Sequence, residues 1–358
     1  MNVVNPFFHR SAIHYPDYFF GRQEVLTRLV NLLRTQHRVA VLGPQRIGKT
    51  SLLLHLLHMN HTQAGTVSTI WVYFDCQSWR HTTPQALWAD MAAALLEALC
   101  ERSHTHWQIL VGDELSLQTL QQLVADIAAA GFRPIFLLDD FDVLLESCDR
   151  NDEVVCGLQT LAMSGCVGFV VAGTQSLPGP VEEGFSSASS LFLSTFATVR
   201  LGLFSDTEAT GLLRSFSALN GGVFSGEIVN WLVQLAGRHP LYLQLAGSSA
   251  IEHGVQHGSL NSPEARLRVR QAFLDQVTPH WCRVWSGLSD EDRRVLTLLL
   301  FYQEDALSRT QRLEQACLII RDEHAEMPVR WLSREFQAFV DRQLAARLQH
   351  LSLNALCS

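Results

Sequence analysis

Residues 43–50 read GPQRIGKT, and this stretch is the strongest indication of the fold in the sequence. It fits the pattern G-x-x-x-x-G-K-[ST], which holds a phosphate where it joins a strand to a helix. Arg38 to Leu42 form a short apolar run that leads into the stretch, and the run SLLLHLLHM after Lys49 is typical of a helix. The sequence therefore predicts a strand, a glycine loop and a helix in that order.

The loop has the groups that a bound phosphate needs. Gly43 and Gly48 let the backbone wrap around the anion, and the helix start adds partial positive charge. Lys49 is predicted to reach the β- and γ-phosphates of ATP or ADP, and the Thr50 hydroxyl to join a Mg²⁺ shell. The predicted nucleotide contacts here are Gly43, Pro44, Gln45, Arg46, Ile47, Gly48, Lys49, Thr50 and Ser51.

Lys49 is the only lysine in the chain. Lysine and arginine together number 27, so every other basic residue of the two types is arginine. A chain that uses arginine elsewhere keeps a compact ammonium where a planar guanidinium should fit the loop poorly. We therefore predict that Lys49→Arg sharply weakens nucleotide binding or hydrolysis.

A second signal is the stretch FLLDDFD at 136–142, an apolar run that ends in acids. A phosphate loop needs a carboxylate at the tip of a neighbouring strand to hold Mg²⁺, and Asp139 is predicted to supply it. Asp140 occupies the place of a water-activating acid; it is shorter than Glu, which predicts slow hydrolysis. Asp142 is interpreted as a solvated acid at a helix start.

The composition is that of a globular protein, with 47% of the 358 residues hydrophobic and 17% charged. No run of 18 apolar residues occurs and MNVVNPFFHR lacks a signal-peptide pattern, so we expect a cytoplasmic protein that makes no use of a membrane. The eight cysteines contain no C-x-x-C pair, which predicts reduced, mostly buried thiols. His104 and His106 have no carboxylate or thiol at ligand spacing, and no metal site is expected there.

The net charge of −8 is unevenly distributed along the chain. Residues 1–261 carry 22 acidic and 14 basic side chains, and residues 262–358 carry 13 of each. The acidic part argues against general nucleic-acid binding there, whereas the Arg-rich run ARLRVR (265–270) leaves a nucleic-acid surface open.

Strands alternate with helices up to about residue 201, which predicts a parallel sheet with helices on both faces. Later residues follow a helical pattern, with predicted helices at about 308–322 and 332–348. Short β-wings leave almost no trace in such patterns. The predicted fold class is α/β, with a parallel-sheet P-loop NTPase domain (1–203), a helical lid (204–262) and a C-terminal winged-helix-like domain (263–358).

Several motifs follow one another in a characteristic order. NPF lies near the start, followed by FFGR (19–22), GPQRIGKT, LLDDFD, VVAGTQ (170–175) and GRHP (237–240). On these motifs the chain resembles the P-loop ATPases of the AAA+/STAND group, particularly the archaeal-ATPase-like and NACHT-like bacterial ATPases. The match is most specific in the first 175 residues.

The resemblance implies roles for residues outside the loop. In such ATPases the Gly-Arg box lies beside the nucleotide base, which suggests Phe20, Gly21 and Arg22 as adenine-side contacts. The alternative is an N-terminal segment that only packs on the sheet. Thr174, or Gln175 beside it, is similar to the family's sensor 1 and would read the γ-phosphate or position water.

Two further roles follow from the resemblance. Pro240 in GRHP is similar to the proline of a G-x-P turn that packs near the base; alternatively it only breaks a helix. These ATPases often use an arginine from a neighbouring subunit on the γ-phosphate. Arg150 and Arg200 are the candidates, with Arg200 favoured and a plain surface charge as the alternative. The predicted catalytic residues are then Lys49, Asp139, Asp140, Thr174 and Arg200.

Two functions fit this reading. The first is a STAND-type switch in which a nucleotide between sheet domain and lid controls assembly of a homo-oligomer. Because the sequence carries neither an N-terminal effector nor a long repeat sensor, its output is expected to act through a separate partner protein in a defence or signalling system. The alternative is a DNA-associated AAA+ ATPase, such as a transposition regulator or initiator-like loader, with Arg266, Arg268, Arg270, Arg293 and Arg294 on DNA. Alternatively, Arg266 and Arg270 share one face of a helix and form only a solvated stripe that does not contact DNA.

Overall fold

A computed structural model describes residues 5–7, 11–62, 69–102, 116–145, 148–174, 192–219, 224–257, 260–301, 310–321 and 329–356. The chain divides into two compact units. We call Ala12–Leu201 the sheet unit, and Met1–Ser11 together with Gly202–Ser358 the helical unit. His104, His106 and Gln175 lie outside the described residues, as do the side chains of Arg150 and the residues around it.

The sheet unit is built on five parallel strands in the order β2-β3-β4-β1-β5. The inner strands β1, β3 and β4 are almost wholly buried, as their near-continuous apolar runs predict for a sheet covered on both faces. The edge strand β2 instead alternates between buried and partly exposed residues. The parallel sheet confirms the predicted α/β class. The strands are β1 (Arg38–Leu42), β2 (Thr69–Asp75), β3 (Arg133–Asp139), β4 (Gly168–Gly173) and β5 (Ala197–Arg200).

Six α-helices of the sheet unit accompany these strands in the described residues. The predicted helix after Lys49 is confirmed, and further helices span Pro84–Arg102 and Leu117–Ala129, in line with the predicted alternation of strands and helices. The helix that starts at Lys49 packs against β2, β3 and β4, which brings its first turn towards their carboxyl ends. The helices are α1 (Gln23–Thr35), α2 (Lys49–Thr62), α3 (Pro84–Arg102), α4 (Leu117–Ala129), α5 (Asp142–Leu145) and α6 (Cys148–Met163).

The helical unit contains longer helices around an aromatic core. Trp281 is fully buried and contacts Phe273, Phe336 and Phe339 at ring distances of 5.5–6.2 Å. Ser289 and Ser333 cap two of its helices, because each hydroxyl accepts a backbone N–H three residues later. Its helices are α7 (Asp206–Leu219), α8 (Gly226–Ala236), α9 (Pro240–His257), α10 (Pro263–Gly287), α11 (Asp290–Phe301), α12 (Gln311–Gln315) and α13 (Arg334–Leu356).

The predicted helix at 308–322 is wrong. Within the described residues 310–321 only Gln311–Gln315 is helical, and Cys317 takes a left-handed φ of 58° just after it. The following residues Ile319–Arg321 form β6, which pairs antiparallel with β7 (Val329–Trp331). A winged-helix identity for this region stays a proposal.

The N-terminal NPF motif is part of the helical unit. Asn5 donates from Nδ2 to the Ser248 hydroxyl at 2.9 Å and to Glu252 Oε1 at 3.0 Å. Phe7 is 1% exposed and stacks against Phe224 with ring centroids 6.1 Å apart. Gly247 is required beneath the ring, because a Cβ there would lie 2.6 Å from Phe7 Cδ1.

Phe7→Ala is expected to destabilise the helical unit by about 3–5 kcal/mol, since it empties a fully packed aromatic site. Phe301→Ala is the matched control: Phe301 is 65% exposed, and the change should stay within about 0.5 kcal/mol. Denaturant unfolding of both variants tests this. A loss below about 1 kcal/mol for Phe7→Ala would show that the NPF segment is not packed as described.

Three arginines of the C-terminal part are held by neighbouring side chains and carbonyls. Arg270 donates twice to Glu335, at 2.7 Å from both Nε and Nη2, and Arg266 donates to Glu227 at 2.6 Å. Arg293 donates to the carbonyls of Trp285 and Ser286 at 3.1 Å. Arg266 and Arg270 are partly exposed, at 26% and 38% of their side-chain surface, so the interpretation as a solvated stripe stands, with the addition that both are in ion pairs within the helical unit.

The expectation of mostly buried thiols is also wrong for the described cysteines. Cys76 and Cys317 are buried, whereas Cys100, Cys156 and Cys282 are exposed; all of them are free thiols.

None of the helices in the described ranges has the length and apolar character needed to cross a bilayer.

Candidate active site

The carboxyl ends of three adjacent strands bring the predicted site residues together. β4 lies between β1 and β3, so one strand separates the strand that ends in Asp139 from the strand that leads into the phosphate loop. The phosphate loop follows β1, Thr174 follows β4, and Asp139 ends β3. Ligands of open parallel sheets bind at these carboxyl ends, and this edge of the sheet is the candidate site.

The phosphate loop has the backbone that its glycines predict. Gly48 has a φ of 104°, and Arg46 also adopts a left-handed φ of 63°. Gly43 is needed for a different reason: a Cβ there would lie 2.6 Å from the Leu201 carbonyl oxygen. Its N–H donates to the Gly173 carbonyl at 3.2 Å, so Gly43 anchors the loop to the sheet.

Lys49 points into the concavity of its own loop. Its Nζ donates to the carbonyl oxygens of Gly43 at 2.9 Å and Pro44 at 3.1 Å, and the residue is buried. Burial lowers the pKa of Lys49, while the nearby carboxylates of Asp142, Asp140 and Asp139 favour the protonated form. The ammonium therefore lies where the loop would present it to a phosphate.

Asp139 and Thr50 are in direct contact. Asp139 is buried and accepts hydrogen bonds from the Thr50 hydroxyl and, at 3.0 Å, from the Tyr73 hydroxyl. Burial raises the pKa of Asp139, and the Thr50 hydrogen bond opposes that rise. A hydroxyl and a carboxylate side by side are ligands that Mg²⁺ accepts together with phosphate oxygens, so these two residues fit the predicted metal role.

Asp140 lies next to this pair in a left-handed conformation with a φ of 47°. Gln77 donates to its Oδ2 at 3.3 Å, which fixes the carboxylate from the loop after β2. Asp140 also borders the groups that would surround a phosphate, since its charge acts on both Lys49 and Asp139. Its position agrees with the predicted place of a water-activating acid, and the role itself stays a prediction.

Asp142 was misjudged from the sequence. It does begin the short helix α5, but it is partly buried, and its Oδ2 accepts the Thr174 N–H at 2.7 Å. The Thr174 hydroxyl also bonds to it. Burial raises the pKa of Asp142, and the Thr174 N–H and the charge of Lys49 oppose the rise. The carboxylate is thus an internal link of the site and not a solvated acid.

The FFGR segment contacts the phosphate loop. Gly21 and Arg22 take left-handed φ values of 72° and 67°, and the buried Arg22 donates from Nη2 to the Ile47 carbonyl at 3.4 Å. Phe20 is partly buried beside them. The Ser51 hydroxyl accepts the Ile13 N–H at 3.0 Å, which ties the same N-terminal stretch to α2. These contacts place the segment at the loop; its predicted adenine contact stays a prediction.

The remaining predicted residues lie further out or in the other unit. Arg200 ends the edge strand β5, opposite Leu42 of β1, and its side chain is exposed. Pro240 begins α9 of the helical unit, after Gly237 with a φ of 68°. The roles proposed for Arg200 and Pro240 stay predictions.

Tyr73, Gln77 and Asp142 are the site residues that sequence reasoning missed. Their contacts depend on which strands are neighbours, and the order of strands is not written in any local pattern. Only Tyr73 had a partial signal in the sequence, because it lies two residues before Asp75 in a strand and so shares a strand face with that acid. The register that pairs Asp75 with Asp139 is known only from the structure.

The parallel sheet, the glycine loop with its lysine, and the buried strand-tip aspartate define a P-loop NTPase fold. Residues 18–162 match the family model described as the AAA ATPase domain. The match covers less than half of the chain, and it is consistent with the predicted resemblance to the AAA+ group of P-loop ATPases.

Two solved structures show the same fold. A Walker-type ATPase of Pyrococcus abyssi matches with a TM-score of 0.64 at 13% identity, over 94% of this chain and 99% of its own. The ORC2 protein of Aeropyrum pernix, solved in ADPNP-ADP complexes, matches with a TM-score of 0.52 at 14% identity, over 97% of this chain and 99% of its own. No curated protein sequence matches the chain.

Proposed function

We propose that this protein binds ATP and ADP together with Mg²⁺ and hydrolyses ATP slowly, as a nucleotide-controlled assembly switch of the STAND type. One observation carries the proposal. The Thr50 hydroxyl, one residue after the loop lysine, is bonded to the buried Asp139, so the loop and the strand tip form a single site. The similarity of the fold to a protein solved with ADPNP and ADP supports the choice of nucleotide.

In this proposal each residue of the site has a separate role. Lys49 and the start of α2 attract the phosphates, because an ammonium and a helix N-terminus both favour anions. Thr50 and Asp139 would hold Mg²⁺, which when bound neutralises charge on the phosphates. Asp140 orients the attacking water and accepts its proton, and Thr174 lies next to Asp142 where it could contact the γ-phosphate.

Slow hydrolysis is expected because Asp140 is a short acid held in place by Gln77 at 3.3 Å. A shorter side chain reaches less far towards a water that must line up with the γ-phosphate. Steady-state turnover of the purified chain with Mg²⁺ and ATP should be below about 1 s⁻¹, which is at the low end of enzyme rates. A rate in the tens per second would contradict the slow-switch part of the proposal.

Assembly is expected to complete the site through Arg200. This arginine is exposed at the carboxyl end of the edge strand, so a second copy of the chain could receive it on a γ-phosphate. The turnover per chain should rise with protein concentration in the wild type, and Arg200→Ala should remove that rise. Arg28→Ala, at an exposed position on α1, is the matched control. Turnover per chain that does not change with concentration would exclude a residue supplied in trans.

The structure weakens the DNA-associated alternative without favouring a second function. Of the five arginines predicted to contact DNA, Arg266, Arg270 and Arg293 donate hydrogen bonds within the helical unit. The other two, Arg268 and Arg294, are exposed. We expect no duplex binding at about 50 mM salt, where nonspecific binders still hold DNA. Salt-dependent binding under those conditions would revive the alternative.

Partner and oligomer are part of the proposal. Following the family resemblance, we propose that the ATP-bound form exposes an assembly surface and signals through a separate partner protein. The mass of the purified chain, measured with ADP and with a non-hydrolysable ATP analogue, tests the first step. A larger species with the analogue is expected, and equal masses would contradict nucleotide-controlled assembly.

A further inference from the structure

Two consecutive hydrogen bonds fasten the turn after β3 to the end of β4. The Phe141 N–H donates to the Ala172 carbonyl at 2.8 Å, and the Thr174 N–H donates to Asp142 Oδ2 at 2.7 Å. The first bond is made by backbone alone. The second depends on the side chain of Asp142, so a substitution at this residue can remove it.

The second carboxylate oxygen of Asp142 is fixed as well. Gly173 lies directly against it: a Cβ on Gly173 would meet Asp142 Oδ1 at 2.6 Å, and the three atoms nearest to that Cβ all belong to Asp142. The carboxylate therefore has one oxygen on the Thr174 N–H and the other packed on the Gly173 backbone. The Thr174 hydroxyl is bonded to the same group.

The link ends at Thr174, for which the family resemblance implies a sensor role. Thr174 is the first residue beyond β4, the strand between the one that leads into the phosphate loop and the one that ends in Asp139. Thr174 therefore lies at the end of the central one of the three strands whose carboxyl ends form the candidate site. A displacement of about 1 Å of a catalytic group can cost about 100-fold in rate.

We propose that Asp142 is a positioning residue of the proposed hydrolysis, which acts by holding Thr174 in place at the end of β4. It does so without touching the nucleotide. The proposal rests on the ATPase function proposed above. Loss of the link should lower kcat for ATP far more than it changes KM, because the Lys49 contacts to the Gly43 and Pro44 carbonyls do not involve Asp142. The carboxylate's charge also acts on Lys49, so Asp142→Asn, which removes the charge and keeps an acceptor for the Thr174 N–H, separates the two effects.

A double-mutant cycle between Asp142 and Gly173 tests this. Asp142→Ala removes the link, and Gly173→Ala pushes the carboxylate away from Thr174; each should lower kcat about 10- to 100-fold. In the double variant the added methyl meets no carboxylate, so Gly173→Ala should cost less than about two-fold further. Asp142→Asn should recover part of the rate, because its amide oxygen can still accept the Thr174 N–H.

Three readouts separate the outcomes. KM for ATP and the affinity for ADP should stay within about three-fold in all variants, and thermal unfolding should show that each is folded. Gly226→Ala is the control for an added methyl, because a Cβ there meets nothing within 4 Å. Additive losses in the double variant, or an unchanged kcat in Asp142→Ala, would overturn the positioning role while wild-type turnover stands. Absence of wild-type turnover would instead refute the proposed function, and the positioning role with it.

Discussion

Lys49→Arg should abolish ATP turnover, with a loss of roughly 100-fold or more, and should weaken ADP binding. The Lys49 ammonium lies in the loop concavity, 2.9 Å from the Gly43 carbonyl and 3.1 Å from that of Pro44. A guanidinium is longer and planar and spreads its charge over several N–H groups, so it cannot take that position without displacing the loop. Steady-state turnover and ADP titration of the purified variant check this.

The matched control is the reverse exchange at an exposed site. Arg28→Lys, on the outer face of α1, should leave turnover and affinity unchanged. Equal turnover in Lys49→Arg and the wild type would show that the ammonium does not contact the phosphates. Lysine is otherwise absent from the sequence, so this single position is where the chemical difference between lysine and arginine can be measured.

Asp139→Asn should remove at least about 100-fold of the turnover and at the same time stabilise the fold at neutral pH. The activity is lost because the neutral amide cannot hold Mg²⁺ with Thr50. The stability is gained because Asp139 is buried and its pKa is raised, chiefly by desolvation. For an acid whose pKa is higher in the folded chain, the stabilisation is complete below its ordinary value and is lost as the pH rises through the raised value.

Thermal unfolding at two pH values checks the stability half of this prediction. Asp139→Asn should have a higher Tm than the wild type at pH 7, and the difference should shrink below roughly pH 4, where the wild-type carboxyl is protonated in both states. Asp126→Asn, at an exposed position on α4, is the control and should change neither turnover nor Tm. A lower Tm for Asp139→Asn at pH 7 would mean that its hydrogen bonds outweigh the cost of the buried charge.

The elements of the sheet unit were predictable because each has a strong local pattern. Residues 39–42 of β1 are a continuous apolar run before a glycine, and Pro84–Arg102 has helical spacing along its whole length. The helix predicted at 308–322 failed for the opposite reason. The short apolar run at 318–320, which leads into β6, follows a left-handed Cys317, and periodicity alone does not separate such a run from a buried helical turn.

The chemistry of the site was predictable in part. The loop and Asp139 follow from residue types at fixed spacing, and the structure brings Thr50 into contact with Asp139. Asp142 could not be recognised, because its partner Thr174 is 32 residues away on another strand. Such contacts depend on β4 lying between β1 and β3, which is a property of the whole sheet.

Equilibrium titration of the full chain with a fluorescent ADP, with and without Mg²⁺, shows whether the phosphate loop binds a nucleotide. We expect saturable binding at one site, with a Kd of the order of micromolar, strengthened by Mg²⁺ and reversed by competing ATP. No saturable binding up to about 1 mM nucleotide would contradict this expectation.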